Sequence, residues 1–345
     1  MIQRWSNVEE TVDTINHQVE NYLQDHQLTA ADIRLSSETT DEVLKCISDD
    51  TIYMLRRNSV TGVFVILSDL QEQETTVENH SGFYLRDLDP ESNPSDNSDL
   101  MIERAPSNVT KYLGIPLDSW WTPLFTLDAD TQSSSYSDFY YQPYRAALEH
   151  PEMEYQDLGY WSRPFSLSGE DISVISYSVP LRLADGSVYG VLGVEISLDY
   201  LRSQMPYQEI LPQSHGAYLL AIQNEEGLYV VITTSGPVYK ELFGEENSLA
   251  IDRETSEENI FVLKKSERSD AKSYGCVEPL QLYNTNTPFE QDQWVLLGVV
   301  KDQTLLSFSQ NVELLILVSA AVSLAIGIVG ILILSTMLTL SLIHI

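Results

Sequence analysis

The runs Ile172-Ser-Val-Ile-Ser-Tyr-Ser-Val-Pro-Leu-Arg-Leu183 and Val188-Tyr-Gly-Val-Leu-Gly-Val-Glu-Ile196, joined by Ala184-Asp-Gly-Ser187, decide the fold. Both are rich in β-branched residues and tyrosine. Asp185-Gly186 supplies the positive φ that a tight hairpin requires, so two adjacent antiparallel strands are expected. Ser197 then stands where a helix N-cap belongs and Pro206 where the helix must stop, which predicts a short helix over 197–205.

Upstream, Val8, Val12, Ile15, Val19 and Leu23 form one apolar stripe of a helix over 8–27. The stripe fits either a stalk continuing from a membrane span or a helix packed on the body. A second helix is expected over 40–57, with Val43, Leu44, Ile47, Ile52 and Leu55 inward. Strands follow at 61–68 and 82–86, then a tract rich in Asp, Ser, Asn and Pro over 87–137, read as irregular apart from an aromatic patch at Trp120 and Trp121. Beyond the decisive hairpin the pattern restarts. Strands at 217–223 and 228–234 flank Asn224-Glu-Glu-Gly227, a polar insert fills 235–270, and strands at 274–283 and 294–300 lead to Asp302, which caps a final helix. Hairpin, insert, hairpin and helix thus occur twice. The fold class is α+β, two tandem modules with antiparallel sheets.

From Leu314 to Ile343 there is no Asp, Glu, Lys, Arg or His. About 20 apolar residues at ~1.5 Å each span the ~30 Å hydrocarbon layer, so one C-terminal transmembrane helix is expected. Ser319, Ser323, Gly327 and Gly330 are small enough for close helix approach, without a strict small-xxx-small pair at the glycines. The start at Met1 has neither a basic nor an apolar leader, and no basic cluster follows Leu334. A preceding membrane helix and a cytoplasmic output region past Ile345 are therefore expected, with the acidic body outside the cytoplasm. A cytosolic body with a tail anchor is the alternative.

The 345 residues carry 51 Asp and Glu against 19 Lys and Arg, a formal net charge of −32. Such a surface repels phosphate backbones, which excludes nucleic acid as the main partner and disfavours anionic lipid surfaces. A hydrophobic content of 43% is enough for a core, which excludes wholesale disorder. Cys46 and Cys276 lack zinc spacing and read as buried free thiols, or as an inter-domain disulfide in an oxidising compartment. The six histidines form no ligand-spaced cluster and read as surface residues. Asp128-Ala-Asp130 opens like a calcium loop, but Ser133 stands where the glycine is required and Phe139 where the glutamate is. Nucleophile elbow, metalloprotease and phosphate-loop motifs are missing, so neither an enzymatic activity nor a cofactor nor a metal is expected.

Four segments, Asp138-Phe-Tyr-Tyr-Gln-Pro-Tyr-Arg-Ala-Ala147, Gly159-Tyr-Trp-Ser-Arg-Pro-Phe165, Ile175-Ser-Tyr-Ser-Val-Pro-Leu181 and Tyr189-Gly-Val-Leu-Gly-Val-Glu-Ile196, resemble in their order the double Cache (dCache) extracytoplasmic sensor family. They span the back half of the first module; 210–345 fits by order and topology. The resemblance implies two PAS-like modules on a long N-terminal helix: a stalk at 1–40, a membrane-distal ligand-binding module at 41–206, a proximal module at 207–302 and a membrane helix at 303–345. It also implies an output of histidine kinase, cyclic-dinucleotide or chemotaxis type. Amino-acid-binding members carry Arg-x-Trp-Tyr before the pocket helix, where this chain has Ser137-Asp-Phe-Tyr140; loss of the guanidinium puts an α-amino-acid ligand in doubt. The family's pocket aspartate corresponds to Glu195.

The residues themselves support binding more than catalysis. Tyr140, Tyr141, Tyr144, Tyr160 and Trp161 crowd a short tract, either as ligand-orienting rings or as ordinary core. Arg163 is either an anchor for an anionic ligand or a rim arginine bonded to a local carboxylate. Ser176 and Ser178 give one strand a polar face, lining a pocket or meeting water. Glu195 sits in an otherwise apolar strand and needs a partner: a ligand amine, a backbone donor or Arg163. The expected partners are a small-molecule ligand, the membrane and a second copy of the chain in a homodimer. The expected function is extracytoplasmic small-molecule sensing by a transmembrane receptor in the cell membrane. A membrane-anchored surface hydrolase and a ligand-free dimerisation scaffold are the rivals.

Overall fold

The computed structural model describes residues 7–68, 77–92, 94, 96–129, 135–167, 172–210, 216–224, 226–255, 259–265 and 272–343. Residues 1–6, Asp130 and Ser133 of the rejected calcium loop, and His215 and His344 lie outside them. Contacts divide the chain into two compact units. One holds Met1–Pro206, Leu220–Thr233 and Pro279–Val295; the other holds Tyr207–Leu219, Thr234–Glu278 and Leu296–Ile345.

In the first unit, α1 (Asn7–His26) buries its whole stripe of Val8, Val12, Ile15, Val19 and Leu23, so it is a packed element of the body. After α2 (Ala30–Leu35), α3 (Ser37–Asn58) starts at Ser36, whose Oγ accepts from the Thr39 N–H at 3.2 Å. It buries Val43, Leu44, Ile47, Met54 and Leu55, while Ile52 is only half-buried. Then come β1 (Gly62–Leu67), β2 (Val77–His80), β3 (Gly82–Asp87), β4 (Leu100–Arg104), α4 (Ser107–Leu113), β5 (Leu117–Thr122), β6 (Phe125–Asp128), α5 (Asp138–Glu149), α6 (Tyr155–Leu158), β7 (Tyr160–Trp161), β8 (Val174–Arg182), β9 (Val188–Ser197) and α7 (Leu198–Ser203). Between Leu100 and Asp128 the tract expected to be irregular therefore holds three strands and a helix. Its turn residues mark the junctions between short elements: Pro106 precedes α4, and Gly114, at φ 64°, closes it. The decisive hairpin is as expected, with Gly186 at φ 88° in its turn and Ser197 Oγ accepting from Tyr200 N–H to cap α7.

The first sheet runs β5-β4-β3-β1-β9-β8-β7, and β2 pairs with β6 separately. Every described pairing in the first sheet is antiparallel except β4 with β5, which is parallel. One face of the sheet meets α1, where Tyr189 Oη donates to Asn16 Oδ1 at 2.8 Å and Asn16 Nδ2 donates to Tyr155 Oη at 3.0 Å. These bonds satisfy the one amide inside the buried stripe. The other face meets α5 through Phe64, Tyr84, Phe139, Tyr140, Phe165 and Val191. His80 is buried beside Tyr140, at a ring distance of 4.8 Å, contrary to the surface position expected for it.

The later part of the chain forms β10 (Gly216–Gln223), β11 (Tyr229–Ser235), α8 (Val238–Phe243), β12 (Ser248–Leu249), β13 (Ile251–Glu254), β14 (Ile260–Leu263), β15 (Ser273–Leu280), β16 (Gln293–Lys301) and α9 (Asp302–Ile343). The polar insert thus supplies α8, β12, β13 and β14. The second sheet runs β12-β11-β10-β16-β15-β14-β13. Its central order β11-β10-β16-β15 repeats β3-β1-β9-β8 of the first: the opening strand lies between its hairpin partner and the last strand, and the last strand feeds a helix. That repetition establishes the tandem α+β architecture.

Cys46 and Cys276 are free, and both are exposed rather than buried. Cys46 falls outside the Val43, Leu44 and Ile47 stripe of α3, and Cys276 alternates with the buried Gly275 and Val277 of β15. In α9, Val312–Ser335 is 24 residues of mean hydropathy 2.8 with none of it buried, a length of about 36 Å that exceeds the ~30 Å apolar layer.

Docking of α1 has a measurable weight. Ile15→Ala, at a fully buried position, should cost ~2–4 kcal/mol in denaturant unfolding followed by tryptophan fluorescence, whereas Asp13→Ala on the exposed side should stay within ~0.5 kcal/mol.

Candidate functional site

Strand register assembles the site. Gly62 pairs with Arg86 on one side and Glu195 on the other, and Glu195 pairs with Ser176, so Arg86, Gly62, Glu195 and Ser176 form one row across β3, β1, β9 and β8. The next row on the same face is Tyr84, Phe64, Gly193, Ser178 and Tyr160. This is the face toward α5, where the Phe139 ring meets Phe64 edge-on at 5.1 Å. Glycine at 62 makes the space that the Glu195 side chain fills: a Cβ there would lie 2.6 Å from Glu195 Oε1.

Glu195 is 0% exposed. Neither of its carboxylate oxygens accepts a hydrogen bond of normal geometry from a described residue. Burial pushes its carboxyl up to about 7; Arg86 and the Tyr84 hydroxyl oppose that rise, and Glu103 adds to it. Arg86 is itself engaged, with Nη1 2.5 Å from Glu103 Oε1 and Nη2 donating to Tyr84 Oη at 3.1 Å. Two carboxylates, both essentially buried, thus draw on one guanidinium. Beside them lies a serine ladder: Ser176 Oγ donates to Ser162 Oγ at 3.1 Å and lies 3.3 Å from Ser178 Oγ, with Ser176 and Ser178 fully buried.

Of the residues singled out from the sequence, Glu195, Ser176 and Ser178 share this interior face, and Tyr140 and Tyr141 belong to the apolar cluster that covers it, with Tyr144 packed at its margin. Tyr141 is turned toward β2, where its hydroxyl donates to Glu78 Oε2 at 2.8 Å. Trp161 is on the opposite face. It pairs with Tyr177, whose hydroxyl donates to Glu9 of α1 at 3.2 Å, and the Trp161 and Tyr177 rings are 5.2 Å apart. Tyr160 and the exposed Arg163 line a cavity whose lining includes neither Glu195 nor the two serines. The guanidinium whose charge acts on Glu195 is therefore that of Arg86 and not of Arg163, without a hydrogen bond between them among the described residues. Arg86, Tyr84 and Glu103 escaped the sequence reading, although Tyr84 and Arg86 two apart in a short apolar strand signal a shared polar face.

The helix motif is also resolved. Ser137 Oγ accepts from the Asp128 N–H at 3.0 Å, and the Phe139 ring stacks on Phe165 at 4.4 Å with an interplanar angle of 3°. At these two positions a backbone bond and a stacked hydrocarbon stand in place of a guanidinium and an indole.

Residues 120–203 match the family described as the first PDC sensor domain of methyl-accepting-chemotaxis-protein-like proteins. No curated protein matches the chain. Among solved structures, the methyl-accepting chemotaxis protein X is 15% identical, with 86% of this chain and 93% of that one covered and a TM-score of 0.40. The ligand-binding domain of the Pseudomonas aeruginosa PAO1 amino acid chemoreceptor PctB, in complex with L-Arg, is 11% identical over 88% and 90%, with a TM-score of 0.39. The periplasmic sensory domain of the Campylobacter jejuni chemoreceptor Tlp1 is 10% identical over 87% and 92%, with a TM-score of 0.41. The family match falls on the stretch that carries α5, β7, β8 and β9, the same stretch that builds the interior row of Glu195 and Ser176, and over those residues the first module is similar to a PDC sensor domain.

Proposed function

We propose that the chain is the extracytoplasmic sensor region of a membrane receptor, working as a homodimer, and that its first module binds a small solute through a cationic group placed against Glu195. One observation carries the ligand class: a fully buried carboxylate that accepts no hydrogen bond of normal geometry from a described residue, beside a cation already engaged by Glu103. Leaving a charge buried and unpaired costs several kcal/mol, and a ligand ammonium removes that cost. Ser162, Ser176 and Ser178 supply hydroxyls beside Glu195, and Tyr84 and Tyr140 supply walls. The sensor-family match and the apolar helix over Val312–Ser335 support placement of this body outside the cytoplasm.

A panel of amines, amino acids, organic acids and nucleobases, screened by thermal shift on the full chain in lipid nanodiscs, tests this. A cation-bearing compound at 100 times its Kd should stabilise by ~2.7 kcal/mol, and Glu195→Gln should abolish the shift. Stabilisation by organic acids alone would overturn the assignment.

The raised Glu195 carboxyl makes a second expectation. Below the usual carboxyl range, near 4.5, the group is protonated in folded and unfolded chains alike and its burial is tolerated. Between 4.5 and about 7 the unfolded chain gives up the proton that the folded chain retains, so stability is lost as pH rises through that window. Glu195→Gln should therefore gain stability relative to the parent between pH 4 and pH 8, on the order of 1–3 kcal/mol in urea unfolding. A pH-independent difference would show that Glu195 holds its charge with no burial cost.

A further inference from the structure

The first unit contains a second chemical site. A cavity of about 340 Å³ lies between the first turn of α5, the segment after β7 and the loop at 288–292. Its floor and walls include Asp138, Gln142, Tyr160, Arg163, Phe289 and Asp292. The loop is held in place: Tyr283 Oη accepts from the Trp161 N–H at 3.0 Å, Asn284 Nδ2 donates to Asp157 Oδ1 at 3.0 Å, and the Phe289 and Tyr160 rings are 5.0 Å apart.

The charges in this cavity are poorly matched. Asp138 Oδ1 is buried and accepts no hydrogen bond from a described residue. Burial pushes the Asp138 carboxyl up, against the Gln142 side chain and Arg163, and burial pushes Asp292 up against Arg163 as well. Arg163 influences both carboxylates from a solvent-exposed position, and forms no ion pair with either among the described residues. The Tyr160 and Phe289 rings offer π-faces, which attract desolvated cations. No group of three or more His, Cys, Asp or Glu able to hold a metal occurs among the described residues, so the lining suits an organic cation better than a metal ion.

We propose that this cavity binds a small organic dication of the alkyl-diamine type, with one ammonium on Asp138 and the other on Asp292, the chain between them lying along Tyr160 and Phe289. A volume of about 340 Å³ is roughly ten times that of a water molecule, ample for a four-carbon diamine. Arg163, at the exposed edge, then competes with the ligand for both carboxylates. The site shares no lining residue with the Glu195 row.

The test is calorimetric titration of the full chain in nanodiscs with 1,4-diaminobutane at low salt, with 1,4-butanediol as the uncharged control. Saturable binding of the diamine and none of the diol is expected. Asp138→Asn and Asp292→Asn should each weaken it at least tenfold, Arg163→Gln should tighten it, and Glu195→Gln should leave it unchanged. Asp292 lies in a loop, so its variant reads the site even if the helix-terminal Asp138→Asn misfolds. Absence of saturable binding, full retention in Asp292→Asn, or loss in Glu195→Gln would overturn the proposal, the last by assigning the diamine to the interior row.

Discussion

A carboxylate withdrawn from water has to be neutralised by protonation or by a facing cation, and at Glu195 the protein does neither completely. The consequences spread across four strands. Gly62 must lack a side chain so that the carboxylate has room. Arg86 must extend across the row and divide its attention between Glu195, Glu103 and the Tyr84 hydroxyl. Three serines replace the apolar residues that a strand interior would ordinarily hold. The energetic cost of the Glu195 row is therefore set by one side chain and shared by its neighbours on four strands.

The sheet separates two roles by strand parity. Even positions of β8, Ser176 and Ser178, face α5 and the polar row, whereas Tyr177 between them reaches α1. The same parity sorts Tyr160 from Trp161. Ring and hydroxyl contacts on the α1 face hold the first helix, while the α5 face carries the buried polar row. Substitutions one residue apart in these strands therefore act on different properties.

Much of this was legible in the sequence, where local rules suffice. The Asp185-Gly186 hairpin, the α1 stripe, the Ser197 cap and the apolar run near the C-terminus each follow from spacing of three, two or zero intervening residues, and each is present. The Glu195 neighbourhood was half legible: an acid in an apolar strand announces a need, but its partners arrive by pairing of distant strands. Glu103 reaches the row through an irregular register between Tyr84 and Leu85 of β3, a feature that no spacing in the chain reveals. The placement of Trp161 apart from Tyr160 needed only the period of two, once β7 was known to be a strand. The tract over 87–137 was misread because polar turn residues outnumber the short runs between them.

The junction between β16 and α9 has a mechanical corollary. The strand ends at Lys301 and the helix starts at Asp302, with no residue left over to serve as a hinge or spacer. Peptide geometry fixes neighbouring Cα atoms at ~3.8 Å, so a shift of the strand end by an ångström drags the helix start along with it. A flexible linker of several residues between the two would loosen that dependence. Here the two elements share adjacent residues, so the position of the strand end sets the position of the helix start.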